Sequence, residues 1–354
     1  MFSSVSPIPR ATILISPREQ FSQARASLES ILAHRDEPVD IVYVDAGSPP
    51  KLRDWLARKA REHDFTLLRT DLCLSPNKAR NLGLAQVRTP YVAFVDNDVL
   101  VTPGWLEKLV ECAQSTGADV VSPLVCEGDP RAQIVHCAGG ETGVKTEVRK
   151  GVVSRRFIEK IHHQGHPVSE VRPQLRRQPT GLAEFHCMLV RTSVFERIGP
   201  LDEGQLNTKE HCDLCLQVER TGGRVWLEPD SLVTYDYRGR RLSDLPFFML
   251  RWSDQWELDS LENLRRKYEL TADDEYYKTR VNKRGWRRRH KIWRPLVTRL
   301  CLGRRVRWLE DLLVRIDCLY NRRLTDHYAR EVRTLRPQVV HRPVGVVSPV
   351  RQAA

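Results

Sequence analysis

The sequence predicts an α/β fold: a doubly wound, mostly parallel sheet flanked by helices. Three observations predict it. Strand-like and helix-like segments alternate through the first 125 residues, the rhythm of βα units in a parallel sheet. The strand-like segments are short and continuously apolar, as strands buried on both faces must be. One of them, Tyr91–Val95, runs directly into Asp96-Asn97-Asp98, so acids collect at the carboxyl end of a buried strand.

The elements follow in order. Ala11–Ile15 reads as the first strand, and Phe21, Ala24, Leu28, Ile31 and Leu32 then recur at helical spacing. Ile41–Val44 is a second strand ending at Asp45. Helix Lys51–His63, strand Phe65–Leu68, helix Lys78–Val87 and the acid-tipped strand come next. Thr102 is the expected N-cap of helix Trp105–Thr116, with Pro103 at its first position. Strand Asp119–Val125 closes the half-fold. From Glu127 to Thr180 periodicity weakens, and loops with short strands are expected. Strand Phe185–Val190, a short helix Ser193–Ile198, helix Lys209–Arg220 and strand Arg224–Leu227 follow. Beyond Ser243 the chain reads as mainly helical, with Ser243 and Asp244 as caps and an apolar stripe at Val306, Leu309, Leu313, Ile316 and Tyr320. This gives a domain over residues 1–240, a basic helical extension over 241–330, and a disordered tail over 331–354.

Asp96 and Asp98, two apart in extended chain, point the same way at an edge where open α/β sheets bind ligands. Two carboxylates held together repel unless a cation sits between them, and hard oxygen donors suit Mg²⁺ or Mn²⁺. A metal-bound diphosphate is the expected guest. The competing reading is a turn that merely precedes the next helix. Asp45 ends its strand at the same edge and can accept hydrogen bonds from a ribose or base, or can close an Asx-turn with Gly47-Ser48. Lys78 and Arg80 can neutralise phosphate oxygens, or lie on a helix surface, and Asn81 can brace the loop that holds Asp96.

Composition narrows the class. At 354 residues with 41% hydrophobic content the chain can build a substantial core. The start MFSSVSPIPR lacks a signal-peptide pattern, and the nine cysteines have no regular spacing, so a cytosolic setting is expected. Cys212 and Cys215 read as core packing rather than half a zinc site. The net charge of +12 is a property of one end: residues 280–354 hold 20 Lys and Arg against 5 Asp and Glu. Trp286, Trp293 and Trp308 lie among those bases. That mixture suits an anionic membrane surface at the inner face of the membrane, equally suits a helical appendage packed on the domain, and less well suits nucleic acid.

Four blocks taken together resemble the family 2 glycosyltransferases, which use a GT-A fold. They are ILISPREQFSQARASLESIL, VYVDAGSP, NKARNLGLAQVRTPYVAFVDND and HCMLVRTSVFERIGPLDEGQLNTKEHCDLCLQVERTGG, in this order, and the likeness covers roughly residues 11–240. The resemblance implies a nucleotide-sugar half over about 11–125 and an acceptor half over 126–240. It implies an inverting, divalent-metal-dependent, hexosyltransferase-like enzyme. The donor would be a nucleoside-diphosphate sugar of the UDP or dTDP type, the acceptor an unidentified carbohydrate, lipid-linked molecule or protein. Ser16, Pro17 and Arg18 would lie beside the nucleotide, and Asp45 would recognise its base or ribose.

In this family the start of the helix at Glu210 usually reads Glu-Asp-x-Asp, and one acid takes the proton from the acceptor hydroxyl. Here the second position is His211. Glu210 is the favoured base, His211 the second choice, and Asp213 is structural, since carboxylates at a helix start are also stabilised by its dipole. His136, Glu184 and His186 fall where the family assembles its acceptor and metal region. A histidine that often follows the last strand is replaced by Tyr235-Asp236, leaving the third metal ligand open. A nucleotidyltransferase would need a Gly-rich basic loop after the first strand, and SPREQFS has none. The remaining alternative is a degenerate, non-catalytic protein binding nucleotide, membrane or nucleic acid.

Overall fold

A computed structural model of the chain describes residues 9–18, 20–35, 38–149, 151–271 and 285–343. Its centre is an eleven-stranded sheet. Strands β1 (Ala11–Ser16), β2 (Asp40–Ala46), β3 (Thr66–Thr70) and β4 (Tyr91–Asp96) run parallel, in spatial order β3-β2-β1-β4. Helices α1 (Ala24–Ala33), α2 (Pro50–Glu62) and α3 (Pro76–Leu84) make the crossovers. The sheet then turns mixed. After the short strand β5 (Val99–Val101), helix α4 (Trp105–Thr116) leads to β6 (Val120–Glu127). Between β4 and β6 lies β11 (Cys187–Arg191), antiparallel to both, and β12 (Val225–Tyr235) pairs parallel to β6.

The continuous apolar runs are explained by two cores, one on each face. Ile13, Ile15, Ala93 and Val95 pack with Leu28, Ile31, Leu56 and Leu109 of α1, α2 and α4. Their strand neighbours Leu14, Val92 and Phe94 face the other way, onto Val194 of helix α6 (Val194–Ile198) and Leu214 and Val218 of helix α7 (Glu210–Arg220). Each large side chain so buried contributes about 1.5–3 kcal/mol, which is why the strands carry almost no polar interior positions. Gly83 lets α3 lie directly on β1: a Cβ there would meet the Leu14 side chain at 2.9 Å.

The structure corrects four expectations. The region 127–180 is more ordered than its weak periodicity suggested. After β7 (Ile134–Cys137) it holds a long antiparallel hairpin, β8 (Gly140–Arg149) with β9 (Val152–Ile161), and then helix α5 (Val168–Val171) and β10 (Gln178–Pro179). Thr102 does not cap α4: its hydroxyl donates to the Leu232 carbonyl at 2.8 Å, and the helix starts after Gly104, whose φ of 69° favours glycine. The strand expected at Arg224–Leu227 continues to Tyr235 through a register shift between Glu228 and Leu232. Within the expected tail, Gln338–His341 forms β13, an antiparallel edge strand on β3; residues 344–354 lie outside the described residues. Among its described residues the extension is helical as expected, with α8 (Leu245–Arg251), α9 (Asp254–Lys267) and a long helix at Arg307–Glu331.

Candidate active site

Four segments meet at the carboxyl edge of β1 and β4. Ser16 sits opposite Asp96 in the ladder, the Asn97 N–H donates to the Ser16 carbonyl at 3.0 Å, and the Asn97 side chain accepts from the Arg18 N–H at 2.8 Å. The Ser16-Pro17-Arg18 loop is thus pinned to the acid-bearing turn. Because β11 runs antiparallel, its beginning reaches this edge, and the Asp96 N–H donates to the His186 carbonyl at 3.0 Å. The Asp236 N–H donates to the Asp98 carbonyl at 2.9 Å, which brings Tyr235 alongside. The His186 ring stacks on Tyr235 with centroids 4.1 Å apart.

Above this floor opens a cleft of about 390 Å³. Of the residues expected from sequence, Arg18, His136, Glu184, His186, Glu210, His211 and Tyr235 line it. His136 bridges two acids, with Nδ1 2.8 Å from Glu127 and Nε2 3.2 Å from Glu184. Burial opposes its charging, but Glu184 and Glu127 outweigh it and push its pKa up to about 9. Glu184, also facing His186 and His211, is held well below the usual carboxylate range against its burial.

Donor atoms of Asp96, Asp98 and His186 lie within 4.8 Å of one another, all buried. Two hard carboxylates and one imidazole suit Mn²⁺ or Mg²⁺. His186 fits that role because burial and the nearby Arg18 charge pull its pKa down to about 4, leaving a lone pair to offer. Asp96 is already compensated: Arg18 reaches one oxygen at 2.6 Å and Arg80 the other at 3.0 Å. Burial pushes its pKa up, yet Arg18, His186 and Arg80 hold it far below the ordinary value.

At the start of α7 the three candidates separate. Glu210 faces the cleft, 3.5 Å from Arg251 and 3.7 Å from Arg80, and these charges keep it ionised although it is buried. His211 lies 3.1 Å from Glu159. Burial opposes its protonation, but Cys212 and Glu184 push its pKa up to about 9, which favours its protonated form at neutral pH. Asp213 turns away, accepting from Tyr268 at 2.7 Å and Lys267 at 2.8 Å, a packing role.

Several expected ligand residues are placed elsewhere. Arg80 is no surface cation: buried, it joins Asp96 to Glu210 and lies 3.8 Å over the Phe185 ring. Asn81 braces the other side of α3, exchanging hydrogen bonds with the backbone of Leu201 at 2.8 and 2.9 Å. Lys78 opens on a separate hollow with Glu203 and Leu335, away from the cleft. Asp45 forms the Asx-type turn, accepting from the Ser48 N–H at 3.2 Å, and pairs with Arg69. Cys212 and Cys215 are buried free thiols.

Sequence reasoning missed Glu159, Lys209, Arg251 and Trp252, which also line the cleft. Glu159 came with the unrecognised hairpin, whose signal was Gly151 between two runs of strand formers. Lys209 pairs with Glu159 and adopts φ 66°, a left-handed conformation uncommon outside glycine, immediately before Glu210.

Comparison with known proteins finds relatives by sequence and by fold. Over 229 residues, 64% of the chain, it is 28% identical to a pre-mycofactocin glycosyltransferase of Mycobacterium tuberculosis, a match covering 43% of that protein. Over 120 residues, 33% of the chain, it is 26% identical to the succinoglycan biosynthesis protein ExoO of Rhizobium meliloti, covering 33% of it. The chain therefore spans less than half the length of these curated relatives. Two solved structures also align: GalNAc-T7 with UDP, GalNAc and Mn²⁺ (TM-score 0.49, 13% identity, 80% of this chain and 57% of that one), and the mannosyltransferase PcManGT from Pyrobaculum calidifontis with GDP-Man and Mn²⁺ (TM-score 0.48, 16% identity, 78% and 69%). The family model for glycosyl transferase family 2 matches residues 18–199, just over half of the sequence, and the chain belongs to that family of glycosyltransferases.

Proposed function

We propose that the protein moves a sugar from a nucleoside-diphosphate sugar, of the UDP or dTDP type, to an acceptor hydroxyl, with inversion and with Mn²⁺ or Mg²⁺ as cofactor. The observation that supports this most is that His186, which lines the cleft with the ionised Glu210, also lies against the buried acids Asp96 and Asp98 of the strand tip. Asp98 and His186, with Asp96, would hold the cation, which when bound supplies charge neutralisation on the departing diphosphate. Arg18, at the cleft, is positioned to turn from Asp96 toward phosphate oxygens. Glu210 accepts the acceptor's proton. Its two arginines keep it ionised and also weaken it as a base, so the proton moves as the new glycosidic bond acidifies the hydroxyl.

The setting we propose is a reducing cytosol, in keeping with nine free thiols. Among the described residues no helix is long and apolar enough to cross a membrane. The deciding experiment is a screen of nucleoside-diphosphate sugars by thermal unfolding, with and without Mn²⁺. One sugar nucleotide should raise the midpoint only with metal present, and Asp98→Ala should remove that dependence. If none raises it, the proposal fails.

A further inference from the structure

The helix Arg307–Glu331 exposes a second apolar set besides the one it packs. Its buried positions are polar: Glu310, Asp317, Asn321 and Thr325, recurring at seven, four and four residues along one face. That face is anchored. Arg289 and Arg305 reach Glu310 at 3.3 and 3.0 Å, Arg288 reaches Asp317 at 2.8 Å, and the Asn321 amide donates to the Met249 carbonyl while accepting from the Asp254 N–H. Half-buried apolar residues such as Leu313, Leu324 and Tyr328 flank that face, Tyr328 packing on Trp256 with centroids 5.3 Å apart, whereas a second apolar set lies on the opposite face, in water: Trp308 is 68% exposed, Leu312 46%, Ile316 55%, Leu319 64% and Tyr320 58%. Their spacing of four, four, three and one makes a continuous stripe over three turns. The preceding turn adds Leu300 at 66% and Leu302 at 94%. An apolar patch of this extent is unusual on a protein surface and marks something that covers it.

We propose that this face lies on an anionic lipid bilayer. Charge selects the occupant. Residues 286–331 hold thirteen Lys and Arg against five Asp and Glu, and Arg299, Arg304, Arg307, Arg315 and Arg322 are exposed around the stripe. A second copy would bring the same cations against themselves, whereas lipid phosphates meet the guanidinium groups as the apolar side chains enter the acyl boundary. Nucleic acid would satisfy the arginines but leave five large apolar groups without use. Trp308 and Tyr320 mark the two ends of the stripe, residue types favoured at headgroup depth. The helix, about 37 Å long at 1.5 Å per residue, lies in the membrane plane. The helical run leading to it begins at the cleft, where Arg287 lines the wall beside Trp252. An acceptor carried on the same membrane is therefore delivered to the site. This inference stands on the C-terminal face and not on the identity of the donor.

The test is flotation of the full chain with phosphatidylcholine vesicles, with and without 30% phosphatidylglycerol. The protein floats with the anionic vesicles, and binding falls with salt. The variant Trp308→Ser/Leu312→Ser/Ile316→Ser binds at least tenfold more weakly with an unchanged or raised unfolding midpoint, since the replaced groups are in water. Arg315→Gln/Arg322→Gln loses the preference for anionic vesicles. Equal flotation of the triple variant and the parent overturns the proposal. So does a parent that ignores vesicles, including one that forms a dimer in light scattering which the triple variant dissolves.

Discussion

Replacing Arg80 separates a phosphate-binding role from a bridging one. The side chain is buried, with one nitrogen 3.0 Å from Asp96 and another 3.7 Å from Glu210. Arg80→Met keeps the unbranched stem and most of the volume but leaves two buried carboxylates each short of a cation. Breaking a buried pair by removing one partner costs about 3–5 kcal/mol. Arg18 still serves Asp96 and Arg251 still serves Glu210, so part of that is offset, and roughly 2–4 kcal/mol remains. At roughly 2–4 °C per kcal/mol, the unfolding midpoint should fall by about 5–15 °C. Arg80→Lys keeps the charge, but one ammonium cannot reach both acids as two guanidinium nitrogens do, so about half the loss persists. Circular dichroism gives the midpoints, and calorimetric titration gives the donor affinity of the folded variants, which should change less than about tenfold because the Arg80 guanidinium is taken up by Asp96 and Glu210. A normal midpoint combined with a donor affinity lowered by two orders of magnitude would refute the bridging argument.

Glu210→Gln should lower transfer by ~10²–10⁴ while leaving donor affinity within a few-fold; unchanged turnover would exclude this residue as the base. The matching control is Asp213→Asn, which should lower the unfolding midpoint through Tyr268 and Lys267 and leave turnover nearly intact. His211 makes a prediction about pH. Its folded pKa, about 9, is above the ordinary 6.5, so its stabilising contribution is complete below about pH 6.5 and is lost as pH rises to about 9. Urea unfolding from pH 6 to 9.5 should show stability declining more steeply in the parent than in His211→Asn, and equal slopes would count against a protonated His211.

The backbone of this protein was largely legible because its information is local. Tyr91–Val95, Ile41–Val44 and Trp105–Thr116 announce themselves through uniform apolarity or helical spacing, which packing on both sheet faces demands. The site was legible where a backbone edge places it, as with Arg18, Asp96, Asp98 and His186. It was illegible where partners come from afar. Nothing near Arg80 says that its neighbours are Asp96 and Glu210, sixteen and 130 residues away, so a buried bridge reads as a basic helix residue. Asp45 is the converse case: Arg69, from the next parallel strand, takes its carboxylate. Glu159 was missed because a hairpin lying outside the main sheet alternates only weakly, one face being half in water.

The antiparallel course of β11 has a consequence for how such enzymes diversify. Strands β6 and β11 are ladder neighbours, with Val121 opposite Leu189, so the chain between Glu127 and Cys187 ends beside the strand it left, adding β7 and β10 to the sheet on the way. The excursion between them carries His136 and Glu159 into the cleft, yet β11 is fixed by its own pairing with β4. Of the described strands in that stretch only the hairpin β8–β9 lies outside the main sheet, so its far end can vary in length without moving the ladder that holds Asp96 and His186. The hairpin is therefore the part of the cleft wall, through Glu159, that insertion or replacement would alter with least disturbance to the strand ends.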